Sequence, residues 1–330
     1  MNLNDSATDL GRLEAYPTAD GSFSLHSAHF GEAFHNSAGA LNEARAKFVE
    51  PAQLGRFQQK QSLAVLDVCF GLGYNSAAVM DALPEQAALQ WWGLELDQRP
   101  LGLALEQATY QRIWSTSVLK RLQALRSNGG WTTKHSTGQM LWGDARSTLS
   151  TIAPEQHFDL ILQDAFSPQR CPELWSEEFL GSLARRLKPG GRLLTYSRSA
   201  AVRASLQRAG LELFSLLAAP REKMGWSNGT MAVRPGKDMC PVHGPGWRSF
   251  STMELEHLST RAAIPFRDIS GNSTSKEILK QRKLEQSRCE LEPTNAWQRR
   301  WGLTKGKQVL EERAGTAKNM SVSEGGQQAC

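Results

Sequence analysis

The chain has 330 residues, of which 40% are apolar and 22% charged. At about 150 residues per domain this suits one large or two modest domains with a real core, and it excludes a chain disordered throughout. Lys and Arg number 38 against 33 Asp and Glu, a formal charge of +5 that permits a polyanionic partner without requiring one and excludes a histone-like composition.

The opening residues, MNLNDSATDLGRLEAYPTADG, show neither the basic cluster nor the apolar run of a secretory signal, and no stretch nears the ~20 apolar residues of a membrane span. Cys69, Cys171, Cys240, Cys289 and Cys330 are scattered and never spaced as CxxC. Neither a disulfide framework nor a zinc knuckle is expected, and a reducing cytoplasm suits the chain. His26, His29 and His35 have no acid or cysteine at ligand spacing, so no metal is expected.

From about residue 60 to 235 short apolar runs alternate with helix-like segments. Strands are predicted at 62–70, 88–97, 139–144, 158–166 and 191–197, and helices at 74–83, 100–114, 172–187 and 200–210. Such alternation predicts an α/β fold: a mostly parallel sheet with helices on both faces and ligands at the carboxyl ends of the strands. RPGKDMCPVHGPGW (234–247) is rich in proline and glycine and marks a domain edge. From residue 236 onward the charge is more basic, 15 Lys and Arg against 11 Asp and Glu. The expected parts are an N-terminal segment (1–60) packing on the catalytic domain, a Rossmann-like domain (61–235), a basic, partly helical extension (236–315) and a disordered tail (316–330).

In LDVCFGLGYNS (66–76) a strand runs into Gly71-Leu72-Gly73 and then a helix. Glycines there let the backbone approach a ligand, and the helix start offers free N–H groups; they also close strand-to-helix turns for structural reasons alone. A dinucleotide fingerprint needs a third glycine where Ser76 stands, so a nicotinamide cofactor loses ground. The second strand ends in Glu95 and Asp97, about 20 residues beyond the turn, where a carboxylate accepts hydrogen bonds from ribose hydroxyls. Asp164 ends the apolar FDLILQDAF and is either a catalytic acid beside the cofactor cleft or a turn former ahead of Ser167-Pro168.

Asp67 ahead of the glycines, with an acid closing the next strand, resembles the first motifs of class I S-adenosylmethionine-dependent methyltransferases. In that superfamily an acid at the position of Asp144 bonds the adenine amino group; an N-cap role suits Asp144 equally. The stretch Asp164 to Pro168, then Pro172 and Trp175, Pro189-Gly190-Gly191, Thr195-Tyr196-Ser197, Val202-Arg203 and Ala209-Gly210 closely resembles the methyltransferase domain of the MnmC family, the bifunctional enzymes of tRNA 5-methylaminomethyl-2-thiouridine biosynthesis. HFGEAFHNSAGALNEARAKFVEPAQL (29–54), with Glu43 and Phe48, and CFGLGYN, on the family's F-G-x-G-x-N turn, extend the likeness to roughly residues 20–235. The chain departs from the pattern at Ala165, where the family has glycine, and at Arg221-Glu222-Lys223-Met224, which follows its Lys-Arg-Glu-Met stretch loosely. No further G-x-G-x-x-G follows residue 235, so the chain resembles a stand-alone methyltransferase without the flavin-dependent half.

The resemblance implies S-adenosylmethionine as cofactor, held by Asp67, Phe70, Gly71, Gly73, Asn75, Glu95 and Asp144. It implies Asp164 as the catalytic residue, and as substrate the amine of 5-aminomethyl-2-thiouridine in a tRNA anticodon stem-loop, with a separate enzyme supplying the precursor a compatible further partner. Tyr74, Phe166 and Trp175 are candidates to stack on the splayed base, and Arg170, Arg203, Arg221 and Lys223 to meet phosphate; core packing and solvated charge are the plainer readings of each. Two other functions stay open: an aminopropyltransferase of the polyamine-synthase type acting on small amines, and a catalytically silent tRNA-binding module.

Overall fold

The computed structural model describes residues 10–57, 62–84, 87–220, 222 and 225–303. Three short strands, β1 (Leu13–Tyr16), β2 (Ser24–Ser27) and β3 (Glu32–Ala33), form a small antiparallel sheet. A 10-stranded sheet follows: β4 (Ser62–Val68), β5 (Ala88–Glu95), β6 (Gly130–Thr132), β7 (Ser136–Trp142), β8 (Phe158–Gln163), β9 (Leu187–Thr195), β10 (Glu212–Leu216), β11 (Thr230–Val233), β12 (His243–Gly244) and β13 (Trp247–Ser249). Its order is β12-β13-β10-β11-β9-β8-β4-β5-β7-β6. The centre, β7-β5-β4-β8-β9, is parallel, and both edges are antiparallel.

β4 shows why this centre forms. Leu63 and Val65 enter the core on one face of the sheet, Ala64, Leu66 and Val68 the core on the other, and a strand buried on both faces reads as an unbroken apolar run. Helix Tyr74–Ala82 packs on the first face and Glu177–Arg186 on the second. The five predicted strands are present, each ending two or three residues early because the residues after the last ladder bond turn outward into the site. The segment expected to be one helix over 100–114 is two, Arg99–Leu105 and Ala108–Gln111, broken at Gln107, whose extended backbone lets Tyr110 reach the core and donate to the Leu72 carbonyl at 2.7 Å. The 172–187 segment also divides. Pro172–Trp175 is a 3₁₀ turn, and Ser176 then caps Glu177–Arg186 by accepting the Phe179 N–H. Helix Thr116–Asn128, absent from the sequence expectation, carries Val118, Leu122 and Leu125 on its buried side.

The sheet crosses the domain edge expected at 235. β12 and β13 extend it beyond β10, and Trp247 is buried in the larger core. Beyond them lie helices Thr252–His257, Ser275–Arg288 and Thr294–Arg300, and Phe266 and Ile278 enter the second core. The tail expected at 316–330 lies outside the described residues. Among the described residues, no helix is long and apolar enough to cross a membrane.

Candidate active site

At the end of β4 the backbone takes three left-handed conformations, at Cys69 (φ 65°), Gly71 (φ 56°) and Gly73 (φ 86°). Only glycine adopts this freely, so the non-glycine Cys69 marks stored strain of the kind found at functional turns. The Cys69 N–H and the Phe70 N–H both donate to the Leu94 carbonyl, which ties the turn to β5. A Cβ on Gly73 would lie 2.5 Å from the Phe70 ring, and one on Gly71 3.2 Å from the Phe34 ring. Gly71 donates its N–H to Glu95 Oε2 at 2.7 Å, while Glu95 Oε1 accepts the N–H groups of Leu96 and Asp97 at 2.7 and 2.8 Å. Burial raises the proton affinity of Glu95, and these three bonds oppose the rise.

The turn opens on a cavity of about 1190 Å³, into which β5, β7 and β8 deliver Glu95, Asp144 and Asp164. Asp144 takes the N-cap role and stands at the cavity wall. It caps helix Ala145–Thr151 by accepting the Arg146 N–H. Its carboxylate also holds the Arg146 guanidinium, which reaches on to Asp268 and the Ser273 carbonyl of the C-terminal segment. An adenosyl group fits this set of residues. Gly71 leaves room beside Phe34, and a carboxylate with about four acceptor positions keeps one on Glu95 for a ribose hydroxyl after its three backbone bonds.

Asp164 lies past the end of β8, and its Oδ2 accepts the Asn75 side-chain N–H at 2.6 Å. Burial pushes this carboxyl up to about 8; the Glu43 carboxylate adds to the rise, and the Asn75 bond and the Lys47 ammonium oppose it. Lys47 sits on a single π-helical turn, Arg45–Val49, a geometry that recurs at functional sites. Its ammonium is buried and pairs with Glu43 at 2.9 Å and Glu222 at 2.8 Å, and all three side chains line the cavity. Phe166 also lines it, stacked on Phe30 at 4.4 Å and edge-on to Phe34 at 4.9 Å.

Several expected contacts are not made. Asp67 is fully buried behind the turn, where Ser76 Oγ donates to its Oδ2 at 2.5 Å and in turn accepts the Trp91 indole N–H at 2.7 Å. The residue that replaces the third glycine is thus the anchor of Asp67. Phe70 packs over Gly73 and against Trp91, and Asn75 meets Asp164; with Gly73 they shape the turn without being cavity-lining residues. Tyr74 is 1% exposed among Tyr110, Trp114 and His35, so it is a core residue rather than a platform for a base. Trp175 is fully buried too and supports the site from behind by donating its indole N–H to the Phe166 carbonyl. Arg203 meets no phosphate. It is enclosed by Thr230, Ser227, the Gly229 carbonyl and Glu254 under the Phe250 ring. Arg170 is exposed, and Arg221 and Lys223 lie outside the described residues.

The sequence reading did not assign Glu43, Lys47, Glu222, Phe30, Phe34 or Trp226 to the site. Glu43 lay on a recognised pattern, but nothing local in the sequence joins it to Glu222, far along the chain.

Comparison with known proteins agrees with this geometry. A family model described as S-adenosyl-L-methionine-dependent methyltransferase matches residues 110–225. An uncharacterized protein of Methanocaldococcus jannaschii is 26% identical over 273 residues, covering 81% of this chain and 70% of its own length. The tRNA 5-methylaminomethyl-2-thiouridine biosynthesis bifunctional protein MnmC of Aromatoleum aromaticum is 30% identical over 203 residues, 56% of this chain but 31% of that protein. The chain thus spans about a third of the length of that bifunctional relative. The crystal structure of MNMC2 from Aquifex aeolicus superposes with a TM-score of 0.71 at 26% identity, over 86% of this chain and 87% of that one. The chain has a class I, Rossmann-like fold and is related to the S-adenosylmethionine-dependent methyltransferases of the MnmC type.

Proposed function

We propose that this protein is an N-methyltransferase that converts 5-aminomethyl-2-thiouridine in a tRNA anticodon stem-loop to 5-methylaminomethyl-2-thiouridine, with S-adenosylmethionine as methyl donor. The observation that carries the reading is Asp164: a cavity carboxyl of raised proton affinity, tied by Asn75 to the glycine turn and near the Glu43 carboxylate, with Glu43 and Glu222 on the same cavity wall outnumbering the one Lys47 ammonium they pair with. Such a wall favours a cationic amine over a neutral or anionic substrate. A tRNA substrate also places the reaction in the cytoplasm.

Gly71, Glu95 and Asp144 would hold the cofactor, which supplies an electrophilic methyl group when bound. Asp164 accepts a proton from the arriving ammonium, freeing the nitrogen lone pair for in-line attack. The acidic wall would stabilise the positive charge that the nitrogen carries once it is methylated. Phe30, Phe34 and Phe166 enclose the reacting group and exclude water that would weaken these interactions.

The test is mass spectrometry of nucleosides from tRNA carrying 5-aminomethyl-2-thiouridine after incubation with the protein and S-adenosylmethionine. A gain of one methyl group on that nucleoside is expected. No gain, with S-adenosylhomocysteine still bound, rejects this substrate and directs the search to small amines and the aminopropyl donor.

A further inference from the structure

The sheet order places the cofactor-facing residues on one side of Asp164 and leaves a differently built wall on the other. Glu95 and Asp144 close β5 and β7, whereas Arg198 follows β9, and Trp226 leads into β11, whose Thr230 pairs with Thr195 of β9. Arg198, Trp226, Asn228 and His257 all line the cavity there. Trp226 is half-buried and its neighbour Gly225 is exposed, so this wall lies where the cavity meets solvent.

The indole is held rigidly. The Arg198 guanidinium lies 5.5 Å over its ring and donates to the Ser227 carbonyl at 3.0 Å. His257 meets the indole edge-on at 5.2 Å and Trp297 at 5.5 Å, and these two rings stack on each other at 4.3 Å. Arg248 donates to the Trp226 carbonyl at 3.3 Å. The matched family model ends at residue 225, so Trp226, His257 and Trp297 lie beyond it, whereas Arg198 lies within it.

We propose that Trp226, fixed by Arg198, His257 and Trp297, is a stacking platform for a nucleobase next to the one that enters the cavity. This rests on the RNA-substrate reading above. Single-stranded bases are recognised by stacking on aromatic side chains, and an indole already fixed in place and half-buried at the cavity wall offers its remaining exposed surface at low ordering cost. The cofactor's adenine is not the occupant, because Asp164 lies between this wall and the β5 and β7 ends.

The experiment measures binding of a fluorescently labelled anticodon stem-loop RNA to the full chain, with S-adenosylhomocysteine present and its own affinity determined in parallel. Trp226→Ala is expected to weaken RNA binding about tenfold, Trp226→Phe to stay within about threefold of wild type, and both to keep wild-type S-adenosylhomocysteine affinity. The proposal is overturned by wild-type RNA affinity in Trp226→Ala, by a parallel loss of S-adenosylhomocysteine affinity in both variants, or by a wild-type chain that binds no RNA. RNA binding that depends on Trp226 without methyl gain on the aminomethyl nucleoside supports the platform and rejects the proposed reaction instead.

Discussion

Asp67 and Asp164 end or follow neighbouring strands, and burial raises both, to about 7 and about 8, yet only Asp164 faces the cavity. Replacing Asp164 by Ala should lower turnover by about 10²–10⁴ while S-adenosylhomocysteine binds as before; wild-type turnover in that variant would remove the assigned role. Asp164 also works against folding. Its folded-state proton affinity exceeds that of an unfolded aspartate, so the cost of ionising it is absent below about pH 4 and grows as the pH rises towards 8. Asp164→Asn should therefore be more stable than wild type, and urea unfolding should show a larger gain at pH 8 than at pH 5. The neighbours act in opposite senses. Glu43→Gln removes a carboxylate that raises the affinity of Asp164, so the acid limb of the pH–rate profile should move down; Lys47→Met removes an opposing cation and should move it up. Equal or same-sign shifts would show that the ion-pair cluster does not tune the acid. Asp164, Glu95 and Asp144 were legible because each closes an apolar run. The Glu43–Lys47–Glu222 cluster was not, because it forms only when residues about 175 positions apart meet.

Strand-to-helix turns carry most of the site, and their tolerance is set by backbone conformation. Gly73 combines a φ of 86° with a Cβ direction blocked by Phe70, so Gly73→Trp should abolish S-adenosylhomocysteine binding in an equilibrium titration; unchanged affinity would dissociate the turn from the cofactor. Arg203 does comparable work between elements, joining helix Ala200–Arg208 to β11 and to helix Thr252–His257 through Thr230 and Glu254. Burial opposes ionisation of Glu254, but the Ser251 N–H together with Arg248 and Arg203 holds its carboxyl at about 2. Arg203→Met leaves part of that charge uncompensated and should cost about 3 kcal/mol, visible as a lower Tm. The alternation of strands and helices was legible because parallel strands are apolar throughout. The N-terminal sheet, the π turn and the breaks at Gln107 and Ser176 were not, since they answer to packing partners and caps rather than to periodicity.

For the molecule as a whole, composition misplaced the boundary that the sheet defines. Proline and glycine around 234–247 signalled an edge, but they serve as the connection into β12 and β13, which pair onward from β10. Cutting after residue 235 would expose the β10 edge, remove the buried Trp247 and strip Arg203 of Glu254. Such a truncated chain should lose the cooperative thermal transition followed by circular dichroism, and a sharp transition near the full-length Tm would show residues 236–303 to be dispensable. The C-terminal segment also reaches three parts of the cavity wall: Asp268 and Ser273 hold Arg146 beside Asp144, Ser275 donates to Glu173, and His257 meets Trp226.

The single bond from Asn75 to Asp164 joins the helix that starts at the glycine turn to the acid proposed to meet the amine. Whatever one ligand does to that bond it does to the affinity for the other, and thermodynamic linkage requires the same factor in both directions. S-adenosylhomocysteine should thus bind with a different affinity when an amine ligand is present, and that ratio should move towards one in Asn75→Ala. Under the proposed reaction, Asn75 would then make the binding of the methyl donor and of the amine interdependent.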